Sequence, residues 1–330
     1  MERYTTREWP DESTMRRGYK HHALANVDHV ESYRTYSAYL ANEWLKRGYG
    51  LYWDGNMVHT STDPRMSNAY YTEDGRIQPA VNYWHFRAYA KRIWNLFQQW
   101  RRNQEFPLHW SVHVTDRYLI PIQTWATVQL DLELASKGDG PYAADRLRTG
   151  TMGRQVGNYP HTVNALTGRA SVLRGKPEKY VTERDWAMRA VHEIGRPGPG
   201  SWKFAAGHLE RALVGYGYRD GAPVHTYWVD DPVLAVEPAT VKWLALSKPD
   251  KEDLLLVLSS YEEKAVDVSV TPLAEKLGFA AGPHVMDVRS GERLRMENGV
   301  LTARVPERYG MRILRFTSAP TEPENVLLSD

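Results

Sequence analysis

An α/β region followed by an antiparallel β-sandwich is the fold class the sequence predicts, and two textures carry that expectation. Over residues 1–224, segments with helical spacing alternate with short apolar runs that finish in polar residues, the pattern of a parallel α/β sheet or (β/α) barrel. Over 225–318 the runs shorten to period two and are separated by turn pairs, the pattern of an antiparallel two-sheet domain. Residues 319–330 read as a polar tail.

Each element follows from a local signal. Tyr33, Tyr36, Leu40 and Trp44 fall at helical spacing and Gly48 and Gly50 supply the stop, so a helix runs through about 32–47. Leu51, Tyr52 and Trp53 are a short apolar run that empties into Asp54, Gly55 and Asn56, as a buried strand does at a polar loop. From Asn82 the spacing of Phe86, Ala90, Ile93, Phe97 and Trp100 predicts a helix with basic residues in its last turn. The run Leu108–Val114 predicts a strand ending at Thr115 and Asp116, and Trp125–Leu130 a strand ending at Asp131 and Glu133. Arg184–Glu193 fits a helix or a strand, and Arg196–Gly200 is a breaker. Further on, Val266, Val268 and Val270 alternate, as do Leu301, Ala303 and Val305; Asn298-Gly299 and Ser290-Gly291 are turn signals, and Met311–Phe316 is the last strand.

Composition narrows the function. With 42 basic and 40 acidic residues the net charge is +2 and the basic residues are dispersed, which argues against nucleic acid as a partner. No apolar run approaches the roughly 18 residues that span a bilayer, and the first twenty residues lack the apolar core of a signal peptide. The absence of cysteine removes disulfides and thiolate sites. No metal-binding, nucleotide-binding or serine-hydrolase motif occurs, so neither a metal nor a cofactor is expected. The aromatic set is unusual: 12 Trp and 20 Tyr against 6 Phe. Indole and phenol rings combine an apolar face with a polar edge and suit sugars, whose ring faces are C–H rich and whose rims are hydroxyls.

Carboxylates at strand ends are the candidate catalytic groups. In a parallel α/β barrel the C-terminal ends of the strands face the active site, which singles out Asp54, although Asp-Gly is also a common turn pair. Asp131 and Glu133 lie two apart on a strand and leave the same face, their Cα atoms about 6.5–7 Å apart. Glycosidic cleavage needs one carboxylic acid to protonate the leaving oxygen and a second group as base or nucleophile, about 5 Å away for retention and about 6.5–9.5 Å for inversion. Crowding raises one pKa and so supplies the acid. Two acids on a solvated edge strand is the competing reading. Trp53, Asn56, His113, Asp116 and Trp125 are the expected pocket residues around them, and His192 and Glu193 could pair only on an irregular backbone.

The same stretches resemble the catalytic domains of the glycoside hydrolase family 123-like group. The resemblance rests on Gly50–Gly55, on Asp74–Pro79 with Gly75, Arg76 and Gln78, and on Arg87, Lys91 and Arg92. It continues in His113, Thr115, Pro121 and Asp131–Glu133, then in Thr151–Gln155 and Val191–Glu193. It implies a (β/α) TIM-type barrel with β-domains that hydrolyses a glycosidic bond of an oligo- or polysaccharide, with Asp54, Asp131 and Glu133 near the sugar. It adds Arg154, Gln155, His192 and Glu193 to the expected substrate contacts. Characterised members resemble N-acetylgalactosaminidases with a neighbouring Asp and Glu; no such pair adjoins the strands here, a departure from that substrate and mechanism. A full barrel of this type takes about 250 residues. The expectation is therefore a shortened barrel, or a fragment whose first strands and any export signal lie upstream in a bacterial parent. Its open edges would be covered by oligomerisation. A carbohydrate-binding protein without activity and a structural protein are the rival readings.

Overall fold

The computed structural model describes residues 31–53, 60–61, 69–81, 83–102, 108–113, 124–131, 144, 147, 159–162, 175–194, 212–218, 221–248, 252–279 and 282–320. The chain forms two compact units, Met1–Asp131 with Gly153–Pro160, and Leu132–Met152 with His161–Asp330.

In the first unit, helix α1 (Glu31–Lys46) buries Ala38, Ala41 and Leu45 on one side. It stops where Gly48 turns to φ 82 and the amides of Gly48 and Tyr49 close on the carbonyls of Leu45 and Trp44. Strand β1 (Leu51–Trp53) follows at once. Two small antiparallel pairs come next, β2 (Thr60–Ser61) with β5 (Ala80–Val81), and β3 (Tyr70–Tyr71) with β4 (Ile77–Gln78). Helix α2 (Tyr83–Arg101) then leads to β6 (Trp110–His113), β7 (Val128–Asp131) and β8 (Tyr159–Thr162).

These strands make one sheet in the order β1-β6-β7-β8. β1 pairs parallel with β6, and β6 parallel with β7. Among the described residues the four strands do not close into a barrel. Parallel neighbours need a crossover between them, and α2 supplies the one from β1 to β6. Its buried stripe, Phe86, Ala90, Ile93 and Phe97, packs with Leu45, Trp110 and Val112 in a single core. Full burial of side chains such as Ile93, Phe97 and Leu45 contributes about 1.5–3 kcal/mol each. The outward side of α1 leaves Tyr36, Tyr39 and Trp44 exposed.

The second unit opens with helix α3 (Glu178–Ala190), which resolves the ambiguous 184–193 stretch as helix followed by a turn at 191–193. Beyond it come β9 (Val224–Thr226), β10 (Leu234–Glu237), β11 (Val241–Lys248), β12 (Asp253–Ser260) and β13 (Val266–Pro272). A short helix α4 (Ala274–Leu277) precedes β14 (His284–Asp287), β15 (Arg293–Leu294), β16 (Met296–Glu297), β17 (Val300–Val305) and β18 (Met311–Thr317). They build two sheets, ordered β10-β13-β17-β16 and β15-β14-β18-β12-β11-β9, and every strand pair given by its register is antiparallel in both.

One core joins the two sheets, with Val268, Val270, Leu301 and Val305 from the four-stranded sheet and Trp243, Leu256, Leu258 and Phe316 from the six-stranded sheet. The expected Asn298-Gly299 turn is present between β16 and β17, both residues at positive φ as a two-residue hairpin demands. All eight residues of β12 are buried, because its second face lies under α3: Trp186, Ala187 and Ala190 pack with Leu255, Val257 and Ile313. Helix α3, within the stretch 1–224 expected to be barrel, therefore packs on the sheet that holds β12.

Candidate active site

Parallel pairing sends β1, β6 and β7 in one direction, so Trp53, His113 and Asp131 mark the same, C-terminal edge of the sheet. Register sets their levels: Trp53 stands beside Val112, and Val112 beside Gln129. Successive side chains alternate between faces. Leu51, Trp53, Trp110 and Val112 take the face that packs on the helices. Tyr52, Ser111 and His113 take the other. On that face the Tyr52 hydroxyl and Nδ1 of His113 are 3.3 Å apart, the tautomer deciding which group donates. His113 is buried whereas Tyr52 is largely exposed, so this pair presents a phenol at the rim and an imidazole behind it.

The other expected contacts fall elsewhere. Trp53 stacks on Tyr89 with ring centroids 5.3 Å apart and meets Trp110 edge-on at 4.7 Å, which makes it part of the core under the sheet. Burial in the same cluster pushes the Tyr89 phenol up to about 12. Trp125 lies in the turn before β7, at the N-terminal edge, against Trp94 and under the Arg87 guanidinium. Five residues separate it from Asp131, three of them in β7. Asp54, Asn56, Asp116, Glu133, Arg154 and Gln155 lie outside the described residues, as does the side chain of Asp131.

His192 and Glu193 belong to the second unit. His192 is buried, its Nδ1 2.7 Å from the Met188 carbonyl and its Nε2 2.9 Å from the Tyr227 hydroxyl, with the Trp228 ring stacked beside it. Glu193 follows at φ 57 and accepts a bond from the Tyr218 hydroxyl at 3.3 Å. The backbone here is a turn rather than a strand, with His192 meeting Tyr227 and Glu193 meeting Tyr218.

Tyr52 is the ring that the sequence reading passed over. The signal was available: side chains alternate along a strand, so of the adjacent Tyr52 and Trp53 only one can take the core face. No group of acidic and histidine side chains suited to a metal occurs among the described residues, and no described helix is long and apolar enough to cross a membrane.

No family model and no curated protein matches the chain. Solved structures do. A glycoside hydrolase family 27 β-L-arabinopyranosidase from Geobacillus stearothermophilus superimposes with a TM-score of 0.54 at 11% identity, over 88% of this chain and 63% of that one. An α-amylase from Geobacillus thermoleovorans gives a TM-score of 0.52 at 8% identity, over 90% of this chain and 66% of the other. An Anoxybacillus α-amylase gives 0.50 at 9% identity, over 97% and 71%. At such identities the likeness is one of fold: the chain has a glycoside hydrolase-like fold, and it spans less than two thirds of the arabinopyranosidase's length.

Proposed function

We propose that this chain is part of a glycoside hydrolase, akin to the family 123-like group, that cleaves a glycosidic bond of an oligo- or polysaccharide with paired carboxylates. The two-sheet unit is then a β-sandwich accessory domain, and the parallel sheet belongs to a partial (β/α) barrel. What supports the reading above all is the common direction of β1, β6 and β7. In sequence, Asp54 follows β1, Asp116 comes three residues after β6, and Asp131 ends β7 with Glu133 two residues on.

Neighbouring strands lie about 4.8 Å apart, so β1 and β7, on either side of β6, are about 10 Å apart. Glycosidases hold their two carboxyl groups roughly 5–9.5 Å apart, a span of the same order. In the proposed reaction Glu133 is the general acid and donates its proton to the leaving glycosidic oxygen. Asp54 or Asp131 either activates water on the opposite face of the sugar or attacks the anomeric carbon itself, and water completes the hydrolysis. Tyr52 and His113, paired on one face of the sheet, contact sugar hydroxyls.

The test is hydrolysis of a panel of aryl glycosides and oligosaccharides by the wild type and by Glu133→Gln. General acid catalysis contributes about 10²–10⁴-fold, and the substitution is expected to remove that much. Cleavage that survives Glu133→Gln undiminished refutes the assignment of the acid. Sugar binding seen as a shift in Trp fluorescence, with no cleavage of any substrate, makes the chain a carbohydrate-binding protein instead.

A further inference from the structure

In the second unit, a cavity of about 500 Å³ is lined by residues of β14, β17 and β18 and the turns beside them. Three arginines line it, Arg289 after β14, Arg304 on β17 and Arg312 on β18. Pro306 and Met311 add an apolar wall.

Each guanidinium is held by a carboxylate. Arg289 donates from one Nη to Glu183 at 2.7 Å, Arg304 pairs with Asp267 at 3.0 Å, and Arg312 donates to Asp287 at 2.7 Å and to Glu292 at 3.3 Å. Of these four acids only Asp287 lines the cavity. Both of its oxygens are engaged: one accepts the Arg289 and Ser290 amides, the other the Arg312 guanidinium. The Arg312 Nε is also used, on the Arg304 carbonyl at 2.9 Å.

A guanidinium has five N–H donors in a fixed plane. After the bonds above, Nε and Nη1 of Arg289, Nε and Nη2 of Arg304, and Nη2 of Arg312 have no acceptor among the described residues. The lining is therefore rich in fixed donors and short of acceptors with lone pairs to spare. Such a surface offers spare N–H donors to a ligand that brings acceptors. A planar carboxylate matches the guanidinium fork in two parallel bonds. The volume falls within the roughly 300–1,000 Å³ of sites for small organic ligands, beyond what a bare oxyanion fills.

We infer that this cavity is a subsite for a carboxylate-bearing sugar, a uronate residue of the glycan. The arginines take its carboxylate, and Pro306 and Met311 face the C–H side of its ring. That the carboxylate arrives on a sugar rests on the glycosidase reading above; that the site takes a carboxylate rests on the arginines alone.

The experiment is titration calorimetry on the full chain with D-glucuronate, D-glucose, acetate and sulfate. Glucuronate is expected to bind saturably and at least tenfold more tightly than the other three. Arg304→Gln and Arg289→Gln, both at partly exposed positions that leave the buried Asp287–Arg312 pair intact, are each expected to weaken it about tenfold, the scale of one charge-assisted contact. Glucose binding as tightly as glucuronate, or both variants binding like wild type, overturns the inference. Acetate or sulfate binding as tightly as glucuronate also overturns it, since the sugar then contributes nothing. Glu133→Gln is expected to leave this binding untouched, so a failure of the catalytic assignment and a failure of the subsite show in different assays.

Discussion

Replacing Gly50 with alanine probes the joint on which the candidate site depends. Gly50 sits immediately before β1, and a Cβ added there would come 2.5 Å from the His109 carbonyl oxygen. That is about 0.9 Å short of the 3.4 Å at which a Cβ contact becomes ordinary. The obstacle is backbone, so no side chain can swing away. The same carbonyl accepts the Leu51 amide at 2.9 Å, the first bond holding β1 against β6. A retreat of about 0.9 Å breaks that bond, a loss of about 1 kcal/mol. The residual crowding adds about 1–3 kcal/mol. The expected destabilisation of the first unit is thus about 2–4 kcal/mol, read by urea denaturation. Because Asp54 follows β1 directly in sequence, a strand displaced by about 1 Å is also expected to lower the proposed glycoside hydrolysis about 100-fold. Gly215→Ala is the control, since a Cβ there meets nothing within 4 Å. If Gly50→Ala unfolds at the same urea concentration as Gly215→Ala, the steric reasoning is wrong.

Two further perturbations test the second unit. The Arg189–Asp185 pair on α3 is 3.0 Å long and almost wholly buried, so Asp185→Ala leaves a buried cation and is expected to cost about 3–5 kcal/mol, while Asp185→Leu with Arg189→Met is expected to be near neutral. Amide hydrogen exchange across α3 and β12 reads both, and a single variant as stable as the double would contradict the assignment. His225, half-buried with Nε2 2.8 Å from the Ser247 hydroxyl, has its pKa lowered below the ordinary 6.5 by desolvation of the charged ring. The unfolded chain then binds the proton more readily, so the contribution of His225 is complete above pH 6.5 and is lost as pH falls through the lower folded value. Denaturation of wild type and His225→Gln from pH 8 to pH 5 is expected to show a steeper acid-side fall in the wild type; parallel curves would sink the claim.

Much of the first unit was legible in the chain because its helices are buried on one stripe only. Phe86, Ala90, Ile93 and Phe97 recur at helical spacing and do form the face of α2 that meets the sheet. Gly48 stops α1 where the spacing runs out, and Gly50, expected to share that task, instead gives close passage to His109. Helix α3 was illegible for the opposite reason. Thr182, Arg184, Asp185 and Arg189 are buried along with Trp186 and Met188, so no apolar stripe stands out against a polar remainder. In β12 the alternation vanishes because both faces are covered, and a run such as Leu254–Leu258 reads the same as a helix or as a strand.

By itself, then, the sequence determined that α1 and α2 are helical and that β1, β6, β7, β13, β17 and β18 are extended, where Gly48 and the Asn298-Gly299 pair turn the chain, and which acids follow which strands. Those features depend on contacts within a few residues, where periodicity and backbone preference act. Only the tertiary structure decided that Trp53 goes under the sheet and Tyr52 above it, that Trp125 sits at the far edge, and that Arg289, Arg304 and Arg312 line one cavity. Those outcomes turn on which face of an element meets another element, and the partner that sets the face lies tens of residues away along the chain.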